Sequence, residues 1–396
     1  MAQKKKSKAV GKTTAGLPAL EQSAWPWSLI QRVLLIVVVF VLIAYVIDRA
    51  VFAALHILYS HSERGPENIN RALHRRVDGY IFGDSRARHH FDPAVIQADT
   101  GLQFFNAGTP GFDMLFYRCL ADLIEKQYTP QWYVVNISLP DLHRNQSQYP
   151  SMVIFAPYIG DSTAVRDVLT TQSWRGGIKF AGLGTPVDDE LIFNTNRPLT
   201  WKYQWHTLIK YGLSDTMRFN ARTYPIIDQV IHPVLADDNG FHPLNGPFIE
   251  KDDPSKWRLE EDIDLYFAYQ VIQFVRQAKA KGIHIAFVVC PSYRVRTNFM
   301  LKPDEWYYLK AVRQCARELD VPLLEISEGT RSEYRDQSNY VDTDHLNGRG
   351  AEFFSHHFAL LFKHLTEIPD WHGTPYQAQI DPSQYVIPME LFTRSR

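Results

Sequence analysis

Tyr80-Ile81-Phe82-Gly83-Asp84-Ser85-Arg86-Ala87-Arg88-His89-His90 runs from apolar residues through a glycine into a polar, basic segment. Val77 to Phe82, mostly apolar around Gly79, reads as a short buried strand that stops at Gly83-Asp84-Ser85. Glycine permits the sharp turn that leaves a strand, and Asp84 or Ser85 begins the next element. A serine there lies at the strand's carboxyl end, where open α/β sheets place their ligands. Serine alone is a weak nucleophile and needs a base to take its proton. The best candidate comes about 260 residues later, in Val341-Asp342-Thr343-Asp344-His345-Leu346-Asn347-Gly348. There an acid stands three residues before a histidine, just ahead of a helical segment. Each half has a plainer explanation. Gly-Asp-Ser is a frequent turn, and carboxylates favour the first turn of a helix. Position tells for the pair, since one follows the first strand and the other precedes the last helix of one α/β pattern. Ser85, His345 and Asp342 are therefore the candidate catalytic set. Asp344 competes with Asp342, but its adjacency to His345 makes a bond to the same ring awkward.

Working outward, Asp92-Pro93 opens a short helix, Gln103 to Asn106 is a second strand, and Asp113 to Gln127 is helical. On that helix Phe116, Leu120, Leu123 and Ile124 share a face. Trp132 to Ile137 is a third strand, and strand–helix–strand at this spacing means a parallel sheet. From 145 to 253 the rhythm breaks, with prolines, glycines and scattered aromatics including Trp201 and Trp205. That stretch reads as an insertion, its aromatics either a platform for sugar rings or a small core of its own. The pattern resumes with a helix from Glu260 to Lys281, a strand from Ile283 to Val289, a helix opened by Pro303 and a strand from Val321 to Ile326. Arg349 to Leu365 closes the domain, and a proline-rich tail without periodicity covers 367–396.

Before the domain, Val33 to Ile47 is fifteen residues without a charge, extended by Leu29-Ile30 and by Ala50 to Leu58. Arg32 can snorkel, and Trp25 and Trp27 suit a membrane interface. Segment 29–58 is thus expected to be a transmembrane anchor, with 59–76 as a linker to the domain. A cleaved signal peptide ending near Ala53-Ala54 is the rival, and the long polar leader speaks for an uncleaved anchor. Lysines 4–6, 8 and 12 give residues 1–28 a basic character, which keeps that side cytoplasmic and puts the domain outside. A net charge of −1 offers no general field for nucleic acid. Cys119, Cys290 and Cys315 form no disulfide framework or metal spacing and are expected as buried free thiols. His89 and His90 lack metal partners at useful spacing, and no cofactor is called for. Arg86 and Arg88 are read either as ligands for an anionic substrate or as solvent-facing charges.

These motifs resemble the SGNH (GDSL-type) hydrolase superfamily, esterases and acyltransferases with a flavodoxin-like three-layer α/β/α fold. Gly83-Asp84-Ser85 is similar to its first block, which carries the nucleophile, and Asp342 and His345 match its Asp-x-x-His block. Asn106-Ala107-Gly108-Thr109-Pro110-Gly111 resembles the second block, which implies that the Gly111 N–H joins that of Ser85 in an oxyanion hole. The third block should read Gly-x-Asn-Asp, but here Ser138-Leu139-Pro140-Asp141 puts proline where asparagine belongs. That asparagine is a donor worth about 3–4 kcal/mol in comparable sites; Asn136 and Ser138 are the nearby substitutes. The resemblance covers residues 77–144 and 254–366, and its membrane-anchored branch, the alginate-acetylation and teichoic-acid D-alanylation proteins, also has divergent third blocks. It implies an O-acyltransferase acting on an envelope or exported polysaccharide, partnered by a membrane-bound O-acyltransferase. An envelope esterase and a non-catalytic glycan- or transferase-binding scaffold are the alternatives.

Overall fold

The computed structural model describes residues 27–60, 67–138, 141–142, 152, 154–168, 209, 239–249, 265–293, 303–326 and 332–367. It divides into two units, Met1–Ala53 and Ala54–Arg396. The first contributes most of helix α1 (Trp27–Ser60), 34 residues long. From Trp27 to Ile47 its apolar side chains are exposed on every side, as Leu35, Phe40 and Tyr45 show. With a mean hydropathy of 2.8 in its most apolar window, α1 is long and apolar enough to cross a membrane. The anchor expected over 29–58 falls inside this helix. The basic leader, Trp25 included, lies outside the described residues.

In the second unit, the expected linker 59–76 is partly folded. Tyr59 is fully buried at the end of α1, and its hydroxyl donates to the Ile154 carbonyl. Helix α2 (Glu67–Leu73) buries Ile69, Asn70 and Ala72. Asn70 Nδ2 donates to the Tyr59 carbonyl at 2.6 Å, and the Tyr158 hydroxyl donates to Asn70 Oδ1 at 2.9 Å. A polar composition hid this segment because Asn70, which ties it to α1, looks in sequence like any solvated residue.

The five strands are β1 (Gly79–Phe82), β2 (Phe104–Asn106), β3 (Trp132–Asn136), β4 (His284–Val289) and β5 (Leu323–Glu325). They form one parallel sheet in the order β2-β1-β3-β4-β5. Among the described residues, the α-helices of this unit after α2 are α3 (Ser85–His90), α4 (Pro93–Thr100), α5 (Met114–Glu125), α6 (Leu265–Ala280), α7 (Pro303–Glu318) and α8 (Gly348–Glu367). Strand side chains alternate between faces, and both faces here are apolar. Ile81, Val134, Ala286 and Val288 share a cluster with Phe91 and Ile96 and with Phe354, Phe358 and Phe362 of α8. Phe82 meets Tyr133 and Phe274 of α6 edge-on, at 5.1 and 5.7 Å between centroids. Helices on both faces of a parallel sheet are compatible with a three-layer α/β/α arrangement.

Two details depart from the sequence reading. The element expected to begin at Asp84 or Ser85 is a short helix, α3, which the sequence reading did not name. The described parts of the insertion pack on the main domain: Phe155 lies edge-on to Phe116 at 5.0 Å, and Ser162 Oγ donates to Asp122 of α5 at 2.6 Å. Trp201 and Trp205 lie outside the described residues, as do Pro140 and the tail from 368. Cys119, Cys290 and Cys315 are buried and free.

Candidate active site

The strand order reverses beside β1, which has β2 on one side and β3 on the other. The turn leaving β1 therefore opens onto the crevice where doubly wound sheets bind their ligands. Gly83 makes that turn with φ +152°, and a Cβ there would lie 2.5 Å from Ala87 Cβ and 2.8 Å from Asn136 Cβ. Only glycine fits both the angle and the space. Asp84 then caps α3, its Oδ1 accepting the Arg86 N–H at 2.9 Å. Ser85 is the first residue of the helix and stays half-exposed.

The chain between β5 and α8 delivers the other two side chains. Asp342 Oδ1 accepts the backbone N–H groups of Asp344 and His345, both at 2.8 Å. The same carboxylate lies 2.9 and 3.0 Å from His345 Nδ1. An acceptor-only carboxylate fixes the hydrogen on Nδ1 and turns the lone pair of Nε2 outward. Ser85 Oγ sits 2.7 Å from that Nε2 and donates to it. Asp342, not Asp344, is thus the acid on the ring. The loop is clamped from several sides. Leu346 N–H donates to His90 Nε2 at 3.1 Å, Tyr293 N–H to the Thr343 carbonyl at 2.9 Å, and Ile249 N–H to the Val341 carbonyl at 2.8 Å. Burial pushes His90 well below the ordinary histidine range, so it stays neutral and can accept that bond.

Behind the serine lies a sealed polar layer. Asn136 Nδ2 donates to Asp84 Oδ1 at 3.1 Å, and Ser138 donates to Asp141 Oδ2 from N at 2.6 Å and from Oγ at 3.0 Å. Both Asn136 and Ser138 are 0% exposed. Both are bonded to carboxylates and closed to solvent, so the structure does not present either of these two nearby possibilities as a third-block donor. Burial raises Asp84, but the Arg86 charge and the N–H bonds outweigh it and hold the carboxyl below its ordinary value. Burial, helped by the Asp84 charge, pushes Asp141 well up. Asp113, the cap of α5, is pushed up to about 7 by burial.

Gly111 takes φ +77° in an exposed turn, and neither its N–H nor that of Ser85 has a hydrogen-bond partner among the described residues. The turn is held by Asn106, whose Nδ2 donates to the Ala87 and Phe91 carbonyls, both at 2.8 Å, while its Oδ1 accepts the Gly108 N–H at 2.9 Å. Arg86 is turned toward Asp84, 3.3 Å away, and is largely buried rather than solvent-facing. Arg88 is half-buried, and its carbonyl accepts the His242 N–H at 3.2 Å. Segment 239–249, the end of the expected insertion, thereby borders the triad. Asn106, His89, His90 and His242 have structural places that the sequence reading did not assign. The spacing from Ser85 to His89 was the available signal, since i and i+4 share a helix face; nothing local marks His242. Among the described residues no group of His, Cys, Asp or Glu is arranged to hold a metal. No protein-family model matches the chain, and no curated protein matches it.

Proposed function

We propose that this chain is an SGNH-type serine acyltransferase with a flavodoxin-like fold, anchored in the cytoplasmic membrane with its domain outside. The observation that carries this reading is the unbroken relay from Ser85 Oγ to His345 Nε2 and from Nδ1 to Asp342. In that reading Ser85 attacks an acyl carbonyl, and the Oγ proton passes to His345. Asp342 keeps the tautomer and stabilises the imidazolium. The unengaged N–H groups of Ser85 and Gly111 hold the oxyanion. Transfer to a polysaccharide hydroxyl, acetyl being the expected group, follows from the resemblance to membrane-anchored acylating proteins. The same resemblance supplies a membrane-bound O-acyltransferase as donor partner. The sealed Asn136 and Ser138 favour a second reading, a scaffold that binds glycan or transferase without turnover, because neither supplies a third oxyanion donor among the described residues.

Incubating the detergent-solubilised protein with p-nitrophenyl acetate separates these readings. An acyl-enzyme reading expects a stoichiometric burst of nitrophenol and labelling of Ser85 by a serine-directed phosphonate, located by peptide mapping. Absence of both, from a protein that melts cooperatively, would leave the scaffold. Adding oligosaccharide acceptors then distinguishes transfer from an esterase that yields only to water.

A further inference from the structure

His89 stands one helical turn after Ser85 on α3, and helix side chains lean back toward the amino end. Its ring meets the His345 ring edge-on at 5.6 Å between centroids, and the His242 ring edge-on at 5.8 Å. His89 Nδ1 lies 2.6 Å from the His242 backbone carbonyl oxygen. A carbonyl only accepts, so Nδ1 carries the hydrogen and Nε2 presents a lone pair. Burial lowers the His89 pKa to about 4, which keeps the ring neutral near pH 7. Nε2 has no hydrogen-bond partner among the described residues, and unlike His90 Nδ1 it is not sealed from solvent. A fixed, neutral acceptor therefore sits beside the base and on the nucleophile's face of the helix.

We propose that His89 Nε2 accepts a hydrogen bond from a second hydroxyl of the acyl acceptor, adjacent to the hydroxyl that attacks, so that the site favours vicinal diols such as sugar rings over water and simple alcohols. This rests on the acyl-transfer reading above. In the transfer step the attacking oxygen forms a bond to the acyl carbon of the Ser85 ester and gives its proton to His345 Nε2. The tetrahedral intermediate then expels Ser85 Oγ, which takes that proton back. The products are the acylated acceptor and free Ser85. His89 exchanges no proton. It holds the neighbouring hydroxyl and thereby sets the angle of attack.

The test partitions the acetyl group of the acyl-enzyme between ethanol and 1,2-ethanediol at equal concentration, with water as the common competitor. Comparing the ratio between wild type and variant cancels the intrinsic reactivity of the two alcohols. His89→Phe keeps the edge-on ring packing and removes the lone pair. It is expected to lower the diol-to-ethanol ratio about 3- to 10-fold, the range for one neutral hydrogen bond. His89→Ala carries the same expectation should the Phe variant not fold. A normal wild-type burst with an unchanged ratio in the variant, transfer and hydrolysis falling together, would overturn the assignment and leave His89 a packing residue. No burst from wild type would overturn the acyl-transfer reading, and this assignment with it.

Discussion

In the acyl-enzyme proposal Ser85, His345 and Asp342 act through one another, so their removal should not be additive. Ser85→Ala and His345→Ala are each expected to abolish the acyl-enzyme burst without loss of fold, because both side chains lie at an accessible edge. Asp342→Asn should lower acylation about a thousand- to ten-thousand-fold, since an amide orients the ring but supports the wrong tautomer. Asp344→Asn should stay within about an order of magnitude of wild type, since Asp342 already holds His345 Nδ1. Pre-steady-state burst kinetics check all four, and a more damaging Asp344→Asn would reverse the assignment of the acid. Asp113 carries a separate expectation. Its carboxyl is raised from 3.8 to about 7 by burial, opposed only by the Leu115 N–H bond. Between those values the folded chain keeps a proton that the unfolded chain releases, so this group's contribution falls as pH rises from about 4 to 7. Asp113→Asn preserves the helix cap and removes the slope. It should gain roughly 1–3 kcal/mol over wild type at pH 8 and little at pH 4, which denaturant titrations at the two pH values would read.

At the level of elements, the turn after β1 fixes where Ser85 stands. Gly83→Ala places a methyl against Ala87 and Asn136 at a positive φ. A cost of about 2–4 kcal/mol is expected from the overlap and the backbone strain together. Reduced Ser85 labelling at a temperature where the variant remains folded would show that the turn, and not only stability, is disturbed; a melting point within a degree of wild type would sink the packing account. The strands and long helices were legible because each carries its own period or a run of buried residues, as Phe116, Leu120, Leu123 and Ile124 do on α5. The meeting of Ser85 with His345 and Asp342 was legible because the two motifs flank the domain's first strand and last helix. Short α3 was not, since six residues hold too few turns for a period to show. Nor was the fate of Asn136 and Ser138. Their burial depends on which face the end of β3 turns inward and on where Asp84 and Asp141 meet it, which is a property of the assembled sheet.

For the whole molecule, the decisive question is which compartment holds the relay. Helix α1 supplies 34 residues where about 20 span a hydrocarbon core. Arg32 near its start and Asp48 and Arg49 further along mark its charged positions, and Arg49 pairs with Asp48 at 2.5 Å. Pairing lowers the cost of placing charges inside such a helix. The fifteen uncharged residues between Arg32 and Asp48 fall short of the length of a span, so Leu29-Ile30 before them and Ala50 to Leu58 after them would complete it. In the proposed topology the lysines at 4–6, 8 and 12 would set the orientation, because short basic flanks remain on the cytoplasmic side. A phosphatase reporter that folds only after export, fused behind Arg396, is therefore expected to be active, and a cytoplasm-dependent fluorescent reporter at the same point dark. Replacing those lysines by glutamate should reduce or invert the ratio of the two signals, since the K/R bias sets the orientation. A bright cytoplasmic fusion on the unaltered chain would place the serine on the inner side, where exported glycans are out of reach and the acyl-transfer reading would lose its substrate.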